Sequence, residues 1–246
     1  MNYLAFSQKG LIRKNNEDNV LVGENGNGVV AVIADGCGGE KMGEVASKIA
    51  CDYVYDKLLN FDLGSSKPSE YEEMLGKILQ EANNRITLYA GENPECKGMA
   101  TTLTCALLYK NVLYISHIGD SRAYMLHGSK LEKLTRDHTY YEQLCLRHEV
   151  NDDNRRELKK KYGSVLTKCL GENNFIKPDF YCYNVMFGDL ILLSTDGLHS
   201  YIDPDVLRQI LRNHADLNDT AESLANEVYN NGAGDNFSFV LIHNRP

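Results

Sequence analysis

The stretch VVAVIADGCGGEKMGEVAS, Val29 to Ser47, holds the pattern on which the fold turns. An apolar run leads into Asp35, and Gly36, Cys37, Gly38 and Gly39 follow. An apolar run of this length, closed by glycines, reads as a buried strand over 29–34. Behind Gly43, EVASKIACDYVYDKLL puts Val45, Ile49, Tyr53 and Leu58 roughly on one face, the pattern of an amphipathic helix. A carboxylate carried to the end of a buried strand, beside backbone without side chains, demands a chemical reason.

Working outward, apolar runs predict strands at 3–7 and 19–23. Pro68-Ser69 opens SEYEEMLGKILQEANNRITLYA, and Ser69 with Glu72 has the spacing of a capping box, so a second long helix is expected there. Four strand candidates follow: TTLTCALLY, NVLYISHIG, SRAYMLH and KLEKLT, with Asn111 and Gly128-Ser129 as hairpin breakers. Residues 140–162 read as polar helix, and their clusters DDNRRE and KKK as a solvated surface insertion. Further strands are expected at 180–185 and 189–195, helices at 204–213 and 219–230, and a closing strand at FSFVLI. Asp219 and Glu222 repeat the cap spacing. Strands in hairpin order with two long helices between them point to an α+β protein of mostly antiparallel sheets. A doubly wound parallel sheet needs a more regular alternation. The 246 residues suffice for one large core, so a single domain over 1–246 is expected.

The net charge of -8, from 26 basic and 34 acidic residues, argues against a broad nucleic-acid or anionic-membrane surface. Seven cysteines without CxxC spacing read as reduced thiols of a cytosolic protein. The start MNYLAFSQKG lacks a secretory signal pattern, and no apolar run approaches 18 residues. A soluble, cytoplasmic protein is the expectation.

Asp35 has company. DLILLSTDGLHS ends another apolar run with Asp196, LYISHIGDSRAY does the same with Asp120, and NNGAGDNFSFVLI sets Asp235 before the last strand. Glu17 and Asp18 directly precede a strand. One Asp-Gly pair is ordinary turn chemistry, but at least five acids at strand edges are not. Unpaired carboxylates beside apolar strands cost several kcal/mol each, and mutual proximity raises their pKa values. Arg13 and Arg122 are the chief basic residues near them in sequence. One or two divalent cations would offset several carboxylates together, and hard oxygen donors suit Mg²⁺ or Mn²⁺. The glycines then leave room beside Asp35 for a carbonyl ligand, metal-bound water and substrate. The fork of Arg13 suits a pair of phosphate oxygens. No serine or cysteine has a nucleophile's setting and no spacing links the histidines, His138 included, so a metal-activated water is the expected nucleophile.

The ordered set RKNNED at 13–18, ADGCGGEKMGEVAS at 34–47, TT at 101–102, GDSRAY at 119–124, LTRDH at 134–138, STDGL at 194–198 and GDN at 234–236 resembles the PP2C-type (PPM) metal-dependent protein serine/threonine phosphatases, in their compact bacterial form. The resemblance runs from about residue 3 to 243. It implies two antiparallel β-sheets packed as a sandwich, flanked by helices, with a flap segment at 138–171. It further implies two Mn²⁺ or Mg²⁺ ions held by Asp35, the Gly36 carbonyl, Asp196 and Asp235, with Glu17 and Asp18 on metal-bound waters and Arg13 on the substrate phosphate. Asp120 with Asp196 would form a third, weaker metal site. Arg13 and Asp35 are the implied catalytic residues. The implied reaction is in-line attack of the activated water on protein phosphoserine or phosphothreonine, releasing inorganic phosphate. A cognate Ser/Thr kinase or its targets are the implied partners, and a monomer is expected. Departures are Cys37, where many eukaryotic members have histidine and bacterial ones methionine; Ala100 and Ala233 for glycines; and KKKYGSVLTKCLG at 159–171, which lacks the histidine, proline and asparagine usual there. The alternatives are a metal-bound phosphopeptide-binding module and a phosphatase of small phosphoesters.

Overall fold

The computed structural model describes residues 1–26, 28–37, 42–62, 67–213 and 216–245, so residues 38–41 of the glycine-rich motif lie outside the described residues. Among the described residues eleven strands form two antiparallel sheets. The first contains β1 (Asn2–Gln8), β11 (Phe237–His243), β10 (Leu190–Ser194), β7 (Arg122–His127) and β8 (Lys130–Lys133), in that order. The second runs β2 (Asp18–Asn25), β3 (Gly28–Cys37), β5 (Leu103–Tyr109), β6 (Val112–Ile118) and β9 (Asp179–Asn184), and the two-residue β4 (Ala100–Thr101) extends it beside the end of β3. The α+β sandwich is therefore the observed architecture.

The apolar run of β3 is continuous because both its faces are covered. Val30, Val32 and Ala34 pack under α1 (Gly43–Leu59) and α2 (Pro68–Glu92). Val29, Ala31 and Ile33 face the other sheet, against Ile191 and Leu193 of β10 and Val240 and Ile242 of β11. Each such fully buried branched side chain is worth about 1.5–3 kcal/mol. Side chains alternate along a strand, so the odd-numbered face that carries Ile33 into the inter-sheet core carries Asp35 to the end of that core. A third cluster lies under α5 (Asp196–His199), α6 (Pro204–Asn213) and α7 (Leu217–Asn230) on the far face of the first sheet.

Three local expectations need correction. On α1 the deeply buried face is the small-residue line Ala46, Ala50, Cys51, Val54 and Leu58, while Val45, Ile49 and Tyr53 flank it half-buried. Close approach of helix to sheet favours the small residues. α2 begins at Pro68 with Lys67 as N-cap, whose backbone N–H donates to the Glu70 carboxylate at 2.9 Å; Ser69 and Glu72 are not the cap pair. α7 is capped by Asp216, which accepts from the Asn218 N–H at 2.6 Å, and not by Asp219. The polar span 140–162 holds two short helices, α3 (Tyr140–Leu146) and α4 (Arg155–Tyr162). Among the described residues no helix is long and apolar enough to cross a membrane.

Candidate active site

At the end of the sandwich where β3 leaves the inter-sheet core, backbone contacts fix Asp35 from two sides. Its N–H donates to Thr102 Oγ1 at 3.0 Å. Its carbonyl accepts from the Thr102 N–H and from Thr101 Oγ1, both at 2.9 Å. Thr102 Oγ1 in turn contacts Ser121 Oγ at 2.8 Å, which ties β3 to the turn bearing Asp120. Gly36 is glycine for a reason other than open approach. A Cβ there would stand 2.3 Å from the Gly43 carbonyl oxygen and 2.8 Å from that of Glu17. The chain is crowded from behind, and no side chain fits.

The other acids converge from separate elements. Asp18 is the cross-strand partner of Asp35. Its Oδ2 accepts from Thr195 Oγ1 at 2.8 Å, while its buried Oδ1 has no partner among the described residues. Glu17 is hung between motifs: its N–H donates to Asn236 Oδ1 at 2.9 Å and its carbonyl accepts from Ser47 Oγ at 2.5 Å. Asn236 also donates to the carbonyls of Lys9 at 2.9 Å and Asn15 at 2.8 Å, so it pins the whole 9–17 segment. Asp196 opens α5, and Asp235 stands before β11. Arg13 Nη2 donates to Asp235 Oδ2 at 2.8 Å. Asp120 sits in the β6–β7 turn, where Gly119 (φ +110°) presses so closely on Thr102 that a Cβ would be 2.5 Å away. His138 holds this turn: the Gly119 N–H donates to its Nδ1 at 3.1 Å, and its own N–H donates to the Gly119 carbonyl at 2.7 Å. His138 is thus structural.

A cavity of about 370 Å³ is lined by Arg13, Glu17, Asp35, Asp120, Asp196 and Asp235, together with Gly36, Cys37, Ser164 and Leu166. A second cavity of about 440 Å³ shares Asp120, Ser164 and Asp196 with it and extends below Lys159 of α4. Among the described residues five carboxylates face one guanidinium in the first cavity. The imbalance registers in their proton affinities. Burial first, then Asp18, Asp196 and Asp120, raises Asp35 well above the usual carboxylate range. Asp18 is pushed up to about 7 by burial and then by Asp196 and Asp235, against the hydrogen bonds of Ser238 and Thr195. Asp120 rises to about 8 through burial, Asp196 and Asp137. Burial and Asp235 raise Asp196, while a hydrogen bond with Asp35 pulls the other way.

Among the described residues no three His, Cys, Asp or Glu side chains are already gathered as a metal cluster. The acids instead line the cavity wall, with Asp235 on Arg13 and Asp35 against Asp196. Their chemistry fits a divalent cation nonetheless. The donors are hard oxygens, one buried carboxylate oxygen is without a partner among the described residues, and repulsion among the acids is relieved by positive charge. A cavity walled in this way by hard oxygen donors has the character of a divalent-metal centre.

Comparison with known proteins agrees. The family model Protein phosphatase 2C matches residues 12–231. The serine/threonine phosphatase stp of Listeria welshimeri is 31% identical over 237 residues, covering 96% of this chain and 93% of its own length. The protein phosphatase PhpP of Streptococcus pneumoniae is 28% identical, with 98% and 97% covered. Among solved structures, serine/threonine phosphatase Stp1 of Staphylococcus aureus superposes with a TM-score of 0.89 at 30% identity, over 97% of this chain and 93% of that one. The catalytic domain of the phosphatase PstP, solved with two manganese ions, gives 0.84 at 27% identity, over 98% and 96%. The chain belongs to the PP2C (PPM) family of metal-dependent protein serine/threonine phosphatases.

The sequence motifs name Thr101, Thr102, Ser47, Ser121 and Asn236 but assign them no task, and in the structure these hydroxyls and the amide position the acids. Ser164 and Leu166 on the cavity wall carry no signal in the sequence.

Proposed function

We propose that the cavity around Asp35 is where this enzyme hydrolyses phosphoserine and phosphothreonine in proteins, with Asp35, the Gly36 carbonyl, Asp196 and Asp235 holding two Mn²⁺ or Mg²⁺ ions. Five carboxylates against one arginine, among the described residues, is the observation that carries this reading. Bound ions would supply Lewis-acid activation of water and neutralise charge on the phosphoryl oxygens. The protein's own contribution is placement. The Thr101–Thr102 pair fixes Asp35, and Asn236 fixes the segment that carries Arg13, Glu17 and Asp18. Asp18, whose Oδ1 is unpartnered among the described residues, and Glu17 would hold the waters of bound ions. Asp120 with Asp196 forms a third, weaker ion site.

Arg13 binds the substrate phosphate with its guanidinium fork, a geometry matched to paired oxygens. Its side chain is half exposed and already oriented by Asp235, so it can reach an entering phosphate without leaving that partner. Cys37 stands where a histidine proton donor would be, so protonation of the leaving serine or threonine oxygen falls to a water. Residues 138–171 form a flap segment over the cavity within one catalytic domain spanning 1–246. Phosphorylated proteins in the cytoplasm are the substrates, a Ser/Thr kinase or its targets among them, and the enzyme acts as a monomer. Phosphate release from a phosphothreonine peptide, with Mn²⁺, with Mg²⁺ and with EDTA, tests the reading beside Asp35→Asn. Metal-dependent turnover that the variant loses is expected. Equal turnover by Asp35→Asn would overturn the assignment.

A further inference from the structure

Leu11 and Ile12 are 67% and 73% exposed, although they immediately precede the arginine on the cavity wall. Their loop is braced at several points. The Leu11 N–H donates to the Ala233 carbonyl at 2.8 Å, and the Asn236 amide holds the carbonyls of Lys9 and Asn15 on either side. Gly10 lies so close to the 233–235 turn that a Cβ would run into the carbonyls of Ala233 and Asp235. Fixed backbone thus holds two bulky apolar side chains in water beside Arg13.

Ile12 also adjoins the second cavity. A Cβ placed on Gly234 would stand 3.6 Å from Ile12 Cδ1 and 2.5 Å from Tyr201 Oη, so these two side chains flank one glycine. Tyr201 lines the second cavity, which shares Asp120, Ser164 and Asp196 with the catalytic one. An apolar lip therefore runs from Leu11 through Ile12 to Tyr201, beside the Arg13–Asp235 pair. The charge around it is of one sign. Residues 9–16 include Lys9, Arg13 and Lys14 and no acid, in a chain of net charge -8. Arg13 is paired with Asp235, while Lys9 and Lys14 stand exposed on either side of the apolar pair.

We propose that, with Arg13 on the substrate phosphate, Leu11, Ile12 and Tyr201 form a docking lip for the substrate's own chain. The lip selects phosphorylated segments that carry a bulky apolar side chain near the phosphorylated residue, with acidic residues around it. Successive Cα atoms lie about 3.8 Å apart and an extended segment advances about 3.3–3.6 Å per residue. Side chains one to three positions from a phosphate on Arg13 therefore reach Ile12 and Leu11. Contact there removes apolar surface of both partners from water, and a loop already braced loses little freedom on binding. A small phosphoester meets Arg13 without touching the lip and gains nothing from it.

The test measures kcat and KM, with Mn²⁺, for phosphothreonine peptides in which each of the three positions on either side is alanine, leucine or glutamate in turn. The small ester p-nitrophenyl phosphate runs beside them. Expected is a leucine preference of about tenfold in kcat/KM at one or more positions, carried by KM. Glutamate should be favoured over alanine by about threefold, an advantage lost in the Lys9→Ala, Lys14→Ala variant. The Leu11→Ser, Ile12→Ser variant should erase the leucine preference and leave turnover of the small ester as it was. Both positions are exposed, so the fold tolerates the exchange. No leucine preference at any position overturns the proposal, as does one that survives in the serine variant; glutamate no better than alanine overturns its acidic part. A dimer in sedimentation that the serine variant dissociates also overturns it, since a second copy would then cover the lip. Failure of the lip leaves Mn²⁺-dependent turnover of the alanine peptide and the small ester intact, whereas loss of both strikes the phosphatase reading itself.

Discussion

Thr102 shows how much of this site rests on one hydroxyl. It accepts from the Asp35 N–H and meets Ser121 Oγ, wholly buried. Thr102→Val keeps the shape and deletes the acceptor, leaving a buried N–H unsatisfied at about 1–3 kcal/mol. The melting temperature should fall by roughly 4–8 °C, with kcat at least about tenfold lower because Asp35 loses its clamp. Thr102→Ser should retain most of both. Calorimetry and steady-state kinetics read the two effects, and a Thr102→Val enzyme of normal kcat would refute the positioning role. Arg13 makes a contrasting case. Arg13→Ala would remove the phosphate contact proposed for it and also release Asp235 from its ion pair. Turnover with a phosphopeptide should drop on the order of 10²-fold, while calorimetric Mn²⁺ affinity stays equal or rises. Weaker Mn²⁺ binding in Arg13→Ala would contradict that division of labour.

At the scale of elements, the Arg122–Asp137 clamp joins β7 to the loop leading into α3. Arg122 donates from Nε at 3.0 and 3.1 Å and from Nη2 at 2.7 Å, and Lys133 adds a contact at 3.3 Å. Burial alone would raise the Asp137 pKa, but the Arg122 hydrogen bonds override it and hold the carboxyl at about 2. A depressed folded-state pKa gives stability that is present above the ordinary carboxylate value and lost as pH falls through the folded one. The clamp therefore contributes about 2 kcal/mol that disappears between about pH 4 and pH 2. Asp137→Asn should flatten that part of the stability curve relative to wild type, measured by urea unfolding at each pH. Parallel curves would remove the clamp from the account. Elements were also the scale at which the sequence spoke most clearly. β3 and β10 announce themselves because apolar side chains cover both faces, and the strand-end acids follow from the same runs. Helix starts were less legible, since Ser69–Glu72 and Asp219–Glu222 match the cap spacing as well as the true caps at Lys67–Glu70 and Asp216. The supports of the acids were illegible for a different reason. Asn236 and Glu17 meet across 219 positions in the chain, and Asp35 and Thr102 across 67. No local pattern encodes such contacts.

For the molecule as a whole, the acids that make the cavity are a liability for folding. Asp18, Asp35, Asp120 and Asp196 are each held in an environment that disfavours their charge, chiefly by burial. Divalent cations that bind only the folded arrangement should repay that liability by mass action, since a ligand with no affinity for the unfolded chain stabilises by RT ln(1 + [L]/Kd). At a free Mn²⁺ concentration of about a hundred times Kd the gain is about 2.7 kcal/mol, equivalent to roughly 5–10 °C for a chain of this size. Scanning calorimetry across a Mn²⁺ titration should show the midpoint climbing with the logarithm of concentration, and EDTA should return it to the metal-free value. Asp35→Asn tests whether the ions act at this cavity, because loss of the central carboxylate should abolish most of the climb. A midpoint indifferent to Mn²⁺ and Mg²⁺, or one that still climbs in Asp35→Asn, would show that the carboxylate cluster at the end of the sandwich is not the metal site.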